Sequence, residues 1–290
     1  MSDLTQPVGL DPGNTLLQSV AAPTGIRSKL HIPTPLHYNS THYFLTGGDA
    51  MKPNKLIELA REGKRAHGFT LTWSSTTVIE LMALAGFDFV QFDSEHGPFT
   101  PESLDDLVRI CEMVDMTPIA RVPNIEPDTI LRFLDRGMLG IMGPHITDGG
   151  RARKLAESCR FAPEGKRSYG SSRAATFGRH KSALEYMQWS NANIIVIAQL
   201  EDVESLKNID EILAVKGIDY YTSGPNDIAQ SMGLLGQPNH PRVKEFEAKV
   251  RERVHGAGKR MYDEITSNAR VWDLFINAGQ EFVKAEKAKG

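Results

Sequence analysis

From Met51 onward, short apolar runs alternate with amphipathic stretches of helical period, and that alternation leaves few folds open to the chain. The runs are HGFTLTW (67–73), FDFVQFD (87–93), TPIARV (117–122), GIMGP (140–144), NIIVIAQL (193–200), DYYTSG (219–224), KRMYDE (259–264) and, weakly, EFVK (281–284). Between most of them lie stretches such as TVIELMALAG, PESLDDLVRICEMV and EPDTILRFLDRG, with apolar residues at i, i+3, i+4 and i+7. Strands that alternate with helices build a parallel sheet covered on its faces, and eight such units predict a (β/α)8 barrel of the TIM type. A doubly wound sheet is the fallback, but no GxGxxG follows the first run.

Residues 1–50 are rich in Pro, Thr, Gly and Ser and lack helical period, so they read as an N-terminal extension to a catalytic barrel domain over 51–290. With a net charge of -3 the chain has no general attraction for nucleic acid or anionic lipid, and any anion it binds must meet local charge. Cys111 and Cys159 form no CxxC pair, which argues against a disulfide scaffold or structural zinc. The first residues lack a basic start followed by an apolar stretch, and no apolar run reaches about 18 residues. A soluble protein of the reducing cytoplasm is expected.

A TIM barrel keeps its active site at the C-terminal ends of its strands, so polar residues that end the apolar runs are the ones to examine. The second run ends in Asp93-Ser94-Glu95-His96, the third holds Arg121, the fifth leads through Gln199 to Glu201, and the sixth leads through Gly224, Pro225 and Asn226 to Asp227. Glu201 and Asp227 follow neighbouring strands and supply hard oxygen donors, a set suited to Mg²⁺ or Mn²⁺, with Co²⁺ a further option. Equally, each can be an acid favoured at the start of a helix. His96 beside carboxylates suits a general base, with Asp93 and Asp135 as available partners; the plainer reading is a hydrogen-bonded structural histidine. Arg121 interrupts an apolar run and is costly there unless it meets an anion, either a structural acid or a substrate carboxylate or enolate.

The segments FDFVQFDSEHGP, PIARVP, RFLDRGMLGIMGPHI, FAPEGKRSYG and AQLEDVESLKNIDEILAVKGIDYYTSGPNDIAQSMG together resemble the HpcH/HpaI aldolase family, the class II pyruvate aldolases that include macrophomate synthase. The likeness covers about residues 65 to 245 and keeps the family's order of DxEH, ARVP, QxE and GPxDI elements. It implies a (β/α)8 barrel with Glu201 and Asp227 as metal ligands, His96 as base and Arg121 as stabiliser of the developing enolate. Gln199 and the Gly224-Pro225-Asn226-Asp227 segment then correspond to substrate contacts, Asp93 and Asp135 to acids that orient or raise the basicity of the histidine, and His145 to a second-substrate contact of macrophomate synthase. The implied substrates are a small 2-oxo acid and an aldehyde, and the implied assembly is a homo-oligomer, a trimer or hexamer.

A Schiff-base mechanism needs a desolvated lysine, and the second to sixth runs contain none, while Lys259 opens the seventh run as a solvated chain end. The family continues past its eighth strand into a further helix, whereas this sequence ends at GQEFVKAEKAKG, and KRMYDEITSN lacks a glycine-containing apolar strand. Truncation or irregularity at strands seven and eight is therefore expected, with Asp263 and Glu264 putting charge into or beside the barrel. The expected reaction is cleavage or formation of 4-hydroxy-2-oxo acids through a pyruvate enolate. The alternatives are an oxaloacetate decarboxylase or macrophomate synthase-like enzyme, or a non-catalytic binding barrel.

Overall fold

Side chains alternate across a strand, so a strand covered on both faces needs apolar residues at every position, and the runs read above have them. A computed structural model describes residues 52–179 and 182–289; the extension over 1–50 lies outside the described residues. The strands are β1 (Ala66–Leu71), β2 (Phe89–Asp93), β3 (Thr117–Arg121), β4 (Gly140–Gly143), β5 (Ile195–Gln199), β6 (Tyr220–Thr222) and β7 (Thr266–Arg270). All pair in parallel, in the order β6-β5-β4-β3-β2-β1-β7, which gives an α/β fold of the TIM-barrel-like kind.

The helices are α1 (Lys55–Arg61), α2 (Thr76–Leu84), α3 (Pro101–Met113), α4 (Pro127–Leu134), α5 (Gly149–Cys159), α6 (Ala183–Asn193), α7 (Val203–Lys207), α8 (Ile209–Leu213), α9 (Pro225–Ser231), α10 (Pro241–Gly256) and α11 (Val271–Lys287). Several begin with a residue whose side chain takes an otherwise unpaired N–H: Thr100 accepts from Ser103 at 3.3 Å, and Asp148 from Arg151 at 2.9 Å.

Alternation divides the apolar residues into two cores. Phe69, Leu71, Val90, Phe92, Ala120, Ile141, Val196 and Ala198 face the helices. Phe89, Ile119, Met142, Ile195, Ile197 and Tyr262 form the second cluster with Leu56 of α1. Buried Asn54 pins α1 in place: its Oδ1 accepts from Leu56 at 3.0 Å, and its Nδ2 donates to the carbonyls of Leu139 and Asn193, each at 2.9 Å.

The expected irregularity falls where the seventh and eighth strands were read. KRMYDE makes one isolated bridge, Met261 to Tyr221, and then enters a 3-10 turn over Tyr262–Glu264. Asp263 and Glu264 do not charge the interior; they meet Arg251 at 2.5 and 3.4 Å and form pairs on the outside of the turn. EFVK is not a strand but part of α11, because apolar residues at 271, 274, 275, 282 and 283 carry a helical period through it.

The seventh strand is TSNAR, which pairs with β1 from Ala66↔Thr266 to Thr70↔Arg270. Polar contacts hold it. Thr266 Oγ1 donates to the Tyr262 carbonyl at 2.8 Å, and Asn268 Nδ2 donates to Thr70 Oγ1 at 3.0 Å and Gln91 Oε1 at 3.3 Å.

Candidate active site

In a parallel sheet every strand delivers its last residues to the same rim. Asp93 and Arg121 are Cα partners on β2 and β3, so their side chains leave the sheet side by side. Arg121 donates from Nε to Asp93 Oδ1 at 3.0 Å and from Nη2 to Oδ2 at 2.6 Å, the planar fork matched to the carboxylate. Asp93 Oδ1 also accepts the backbone N–H of His96 at 3.3 Å and so turns the chain just past β2. The turn requires Gly97, where a Cβ would lie 2.4 Å from the Asp93 carbonyl oxygen and 2.8 Å from that of Thr72.

This turn sends two neighbours in opposite directions. The Glu95 side chain is drawn over the rim, at 13% exposure, whereas that of His96 stands at 64%. Glu95 Oε2 lies 3.2 Å from Arg121 Nη1, and Oε1 lies 3.2 Å from His145 Nε2. His145 follows β4 with φ 52, the left-handed region that a side chain with a Cβ rarely adopts. That backbone turn aims its N–H at Glu201 Oε1, 2.9 Å away, and Nδ1 lies 3.3 Å from the same oxygen.

Glu201, two residues past β5, is 1% exposed. Its Oε2 accepts the Gln199 amide, and Gln199 Oε1 is left buried with no partner among the described residues. Gly224 passes directly over this pair: a Cβ there would meet Glu201 Oε2 at 2.4 Å and Gln199 Nε2 at 2.9 Å. Pro225, Asn226 and Asp227 form the first turn of α9, which has no side-chain cap. Burial pushes the Glu201 carboxyl up to about 7; the His145 backbone bond and the His145 charge oppose this, and Asp227 and Glu95 add to it. Burial and the two neighbouring acids thus disfavour the ionised carboxyl, an environment that a divalent cation would relieve. The fit is of two carboxylates with water or substrate oxygens, since among the described residues no three His, Cys, Asp or Glu side chains converge as a complete ligand set.

The rim therefore brings together Asp93, Arg121, His145, Gln199, Glu201, Gly224 and the Pro225–Asp227 turn. It does not bring Asp135 to His96. Asp135 stands at the C-terminal end of α4 and accepts from buried Arg167 at 3.0 Å. The His96 ring lies 4.0 Å from Glu95 Oε2, and Asp93 accepts from the His96 backbone N–H. Sequence reasoning placed Glu95 at the end of the second run but gave it no role, because its orientation is set by the turn past β2.

Acids, an arginine fork and a histidine gathered at one rim of a TIM-barrel-like sheet define the class, a barrel enzyme built to handle oxyanions. The model of the family HpcH/HpaI aldolase/citrate lyase matches residues 68–286, and the chain belongs to that family. It is 32% identical over 224 residues to the hydroxypyruvate/pyruvate aldolase of Roseobacter denitrificans, covering 77% of this chain and 86% of that one. It is 31% identical over 234 residues to the 4-hydroxy-2-oxovalerate aldolase of Novosphingobium aromaticivorans, covering 79% and 87%. An HpcH/HpaI aldolase/citrate lyase family protein from Burkholderia cenocepacia shares the fold with a TM-score of 0.74 at 27% identity, over 81% of this chain and 99% of that one. The chain is accordingly a carbon–carbon lyase. No helix among the described residues is long and apolar enough to cross a membrane.

Proposed function

We propose that this lyase is a class II aldolase that cleaves or forms 4-hydroxy-2-oxo acids through a pyruvate enolate, with Mg²⁺ or Mn²⁺, or else Co²⁺, held by Glu201 and Asp227. The observation that carries the reading is the buried Glu201 carboxylate, held by Gln199 and the His145 backbone and packed against the Gly224 turn that leads to Asp227. The names of the two aldolase relatives supply the substrate class. A divalent ion bound there would polarise the oxygens of a 2-oxo acid and acidify its C3 protons.

The protein's own groups do the rest. Arg121 spends its Nε and one Nη2 donor on Asp93, and its Nη1 lies 3.2 Å from Glu95 Oε2. A guanidinium has five N–H donors, so three are not taken by Asp93 and can meet a substrate oxyanion. Gln199 Oε1, buried and unpaired, is an acceptor for a water or substrate hydroxyl. The Gly224–Asp227 turn brings backbone close to the same point, and His145 lines the second-substrate side. The exposed His96 ring serves as the base that moves the proton between C3 and the aldehyde oxygen. Asp93 acts by setting the turn beneath that ring. Among the described residues of one chain Asp135 accepts from Arg167 rather than from the His96 ring.

The reading also takes residues 51–290 as the catalytic domain, a (β/α)8 barrel irregular at its last two positions. It places the protein in the cytoplasm, where the buried thiols of Cys111 and Cys159 stay reduced, as a homo-oligomer, trimer or hexamer. Pyruvate with Mg²⁺ or Mn²⁺ in deuterium oxide tests the chemistry. Metal-dependent exchange of the methyl protons that EDTA stops is expected, and exchange that survives EDTA, or none with any divalent metal, refutes the proposal.

A further inference from the structure

Glu95 divides one carboxylate between two cationic or proton-bearing groups, each of which borders the substrate in the reading above. Oε2 faces Arg121 Nη1 and Oε1 faces His145 Nε2, both at 3.2 Å. Each partner is held again from its far side: Arg121 by the Asp93 fork, and His145 by Glu201, which meets both its Nδ1 and its backbone N–H. An unbroken line of contacts thus runs Asp93–Arg121–Glu95–His145–Glu201, from β2 across β3 and β4 to β5.

Among the described residues Glu95 is the member within 3.2 Å of both the arginine half of this line and the histidine half. It is placed by the Asp93-capped turn and Gly97, at 13% side-chain exposure, where a carboxylate is poorly screened and its contacts count for more than on the surface. The left-handed backbone at His145 points the same way, because a strained conformation persists only where its surroundings over-determine it.

We infer that Glu95 is a positioning residue, which fixes His145 relative to Arg121 so that the second substrate meets a preset histidine beside the metal. This rests on the aldolase reading for what the two groups do, but not for the contact itself. A glutamine at this position keeps the size and can accept with only one oxygen, so one of the two partners loses its acceptor. An aspartate keeps both oxygens on a shorter stem.

The test is a double-mutant cycle on Glu95→Gln and His145→Ala, with Glu95→Asp as the conservative variant. If Glu95 acts through His145, kcat for aldol addition falls roughly tenfold or more in Glu95→Gln with a smaller change in KM for pyruvate. The double variant is then no slower than the slower single variant. Glu95→Asp recovers part of the loss. Additive losses, or a Glu95→Gln enzyme with unchanged kcat, overturn the inference.

A second readout is independent of turnover. In the metal-free protein the His145 ring nitrogen resonances, assigned by their absence in His145→Ala, shift in Glu95→Gln. Unmoved resonances mean that Glu95 does not hold the ring. Should the wild type show no metal-dependent exchange on pyruvate, the aldolase reading fails alone, and the resonances still decide the role of Glu95.

Discussion

Arg121 and Asp93 meet across neighbouring strands through two parallel hydrogen bonds, of 3.0 and 2.6 Å, so the guanidinium plane is set by the register of β2 against β3. A lysine cannot reproduce the fork, because an ammonium is a point charge on a flexible stem. Arg121→Lys is expected to lower kcat by roughly 100-fold while a folded protein remains; near-normal turnover in steady-state kinetics would remove Arg121 from the mechanism.

The raised Glu201 carboxyl makes both stability and metal affinity depend on pH. Its folded value of about 7 stands above the ordinary 4.5, so between these values the folded state binds more protons than the unfolded. The stabilising contribution is complete below the lower value and is lost as pH rises through the higher one. Thermal melts of the metal-free protein should therefore show Tm falling over that window. Metal binding needs the ionised carboxylate, so its affinity should rise across the same window and level off above it. Titration calorimetry with Mn²⁺ that shows flat affinity would contradict this.

Gly224 is a steric requirement of the Glu201–Gln199 pair, and so of the proposed metal pocket. The added methyl of Gly224→Ala would sit 2.4 Å from Glu201 Oε2, so either the carboxylate or the turn carrying Asp227 must move. A loss of Mn²⁺ affinity of at least about tenfold is expected, beside a destabilisation of about 1–3 kcal/mol from overpacking. Calorimetry and urea melts separate the two.

Buried Asn54 ties α1 to two part-buried carbonyls. Asn54→Ala removes the cap of α1 and leaves the Leu139 and Asn193 oxygens without this donor. The expected cost is about 2–4 kcal/mol in urea unfolding, with little change in KM, since the residue lies at the far end of the strands from the rim.

Six strands were legible because most of their residues are buried and apolar, most fully in IVIAQ of β5. The seventh was not, because TSNAR buries Thr266 while its later residues alternate toward solvent, and its cohesion comes from hydroxyl and amide contacts that leave no apolar trace. EFVK failed for the opposite reason: four residues fit either period, and the longer pattern around them decides for helix. At the site, polar types at strand ends identified Asp93, Arg121, Gln199 and Glu201, whose positions depend on register alone. The placement of Glu95, His96 and Asp135 depends on the turn past β2 and on where α4 ends, and composition does not record either. Spacing alone could not distinguish a metal ligand from a helix-start acid at Glu201; its burial beside other acids is a property of the folded chain.

The single Met261–Tyr221 bridge leaves β6 paired along its length on one side only, to β5. The barrel wall has a seam there, and Asp227 stands just behind it, one turn past the end of β6. An ion shared by Glu201 and Asp227 would rivet that loose edge to β5. Hydrogen exchange at Tyr220–Thr222 should accordingly be quicker than in β2 to β5 in the metal-free protein and slow when metal is added, so that loading the catalyst and closing the wall are one event.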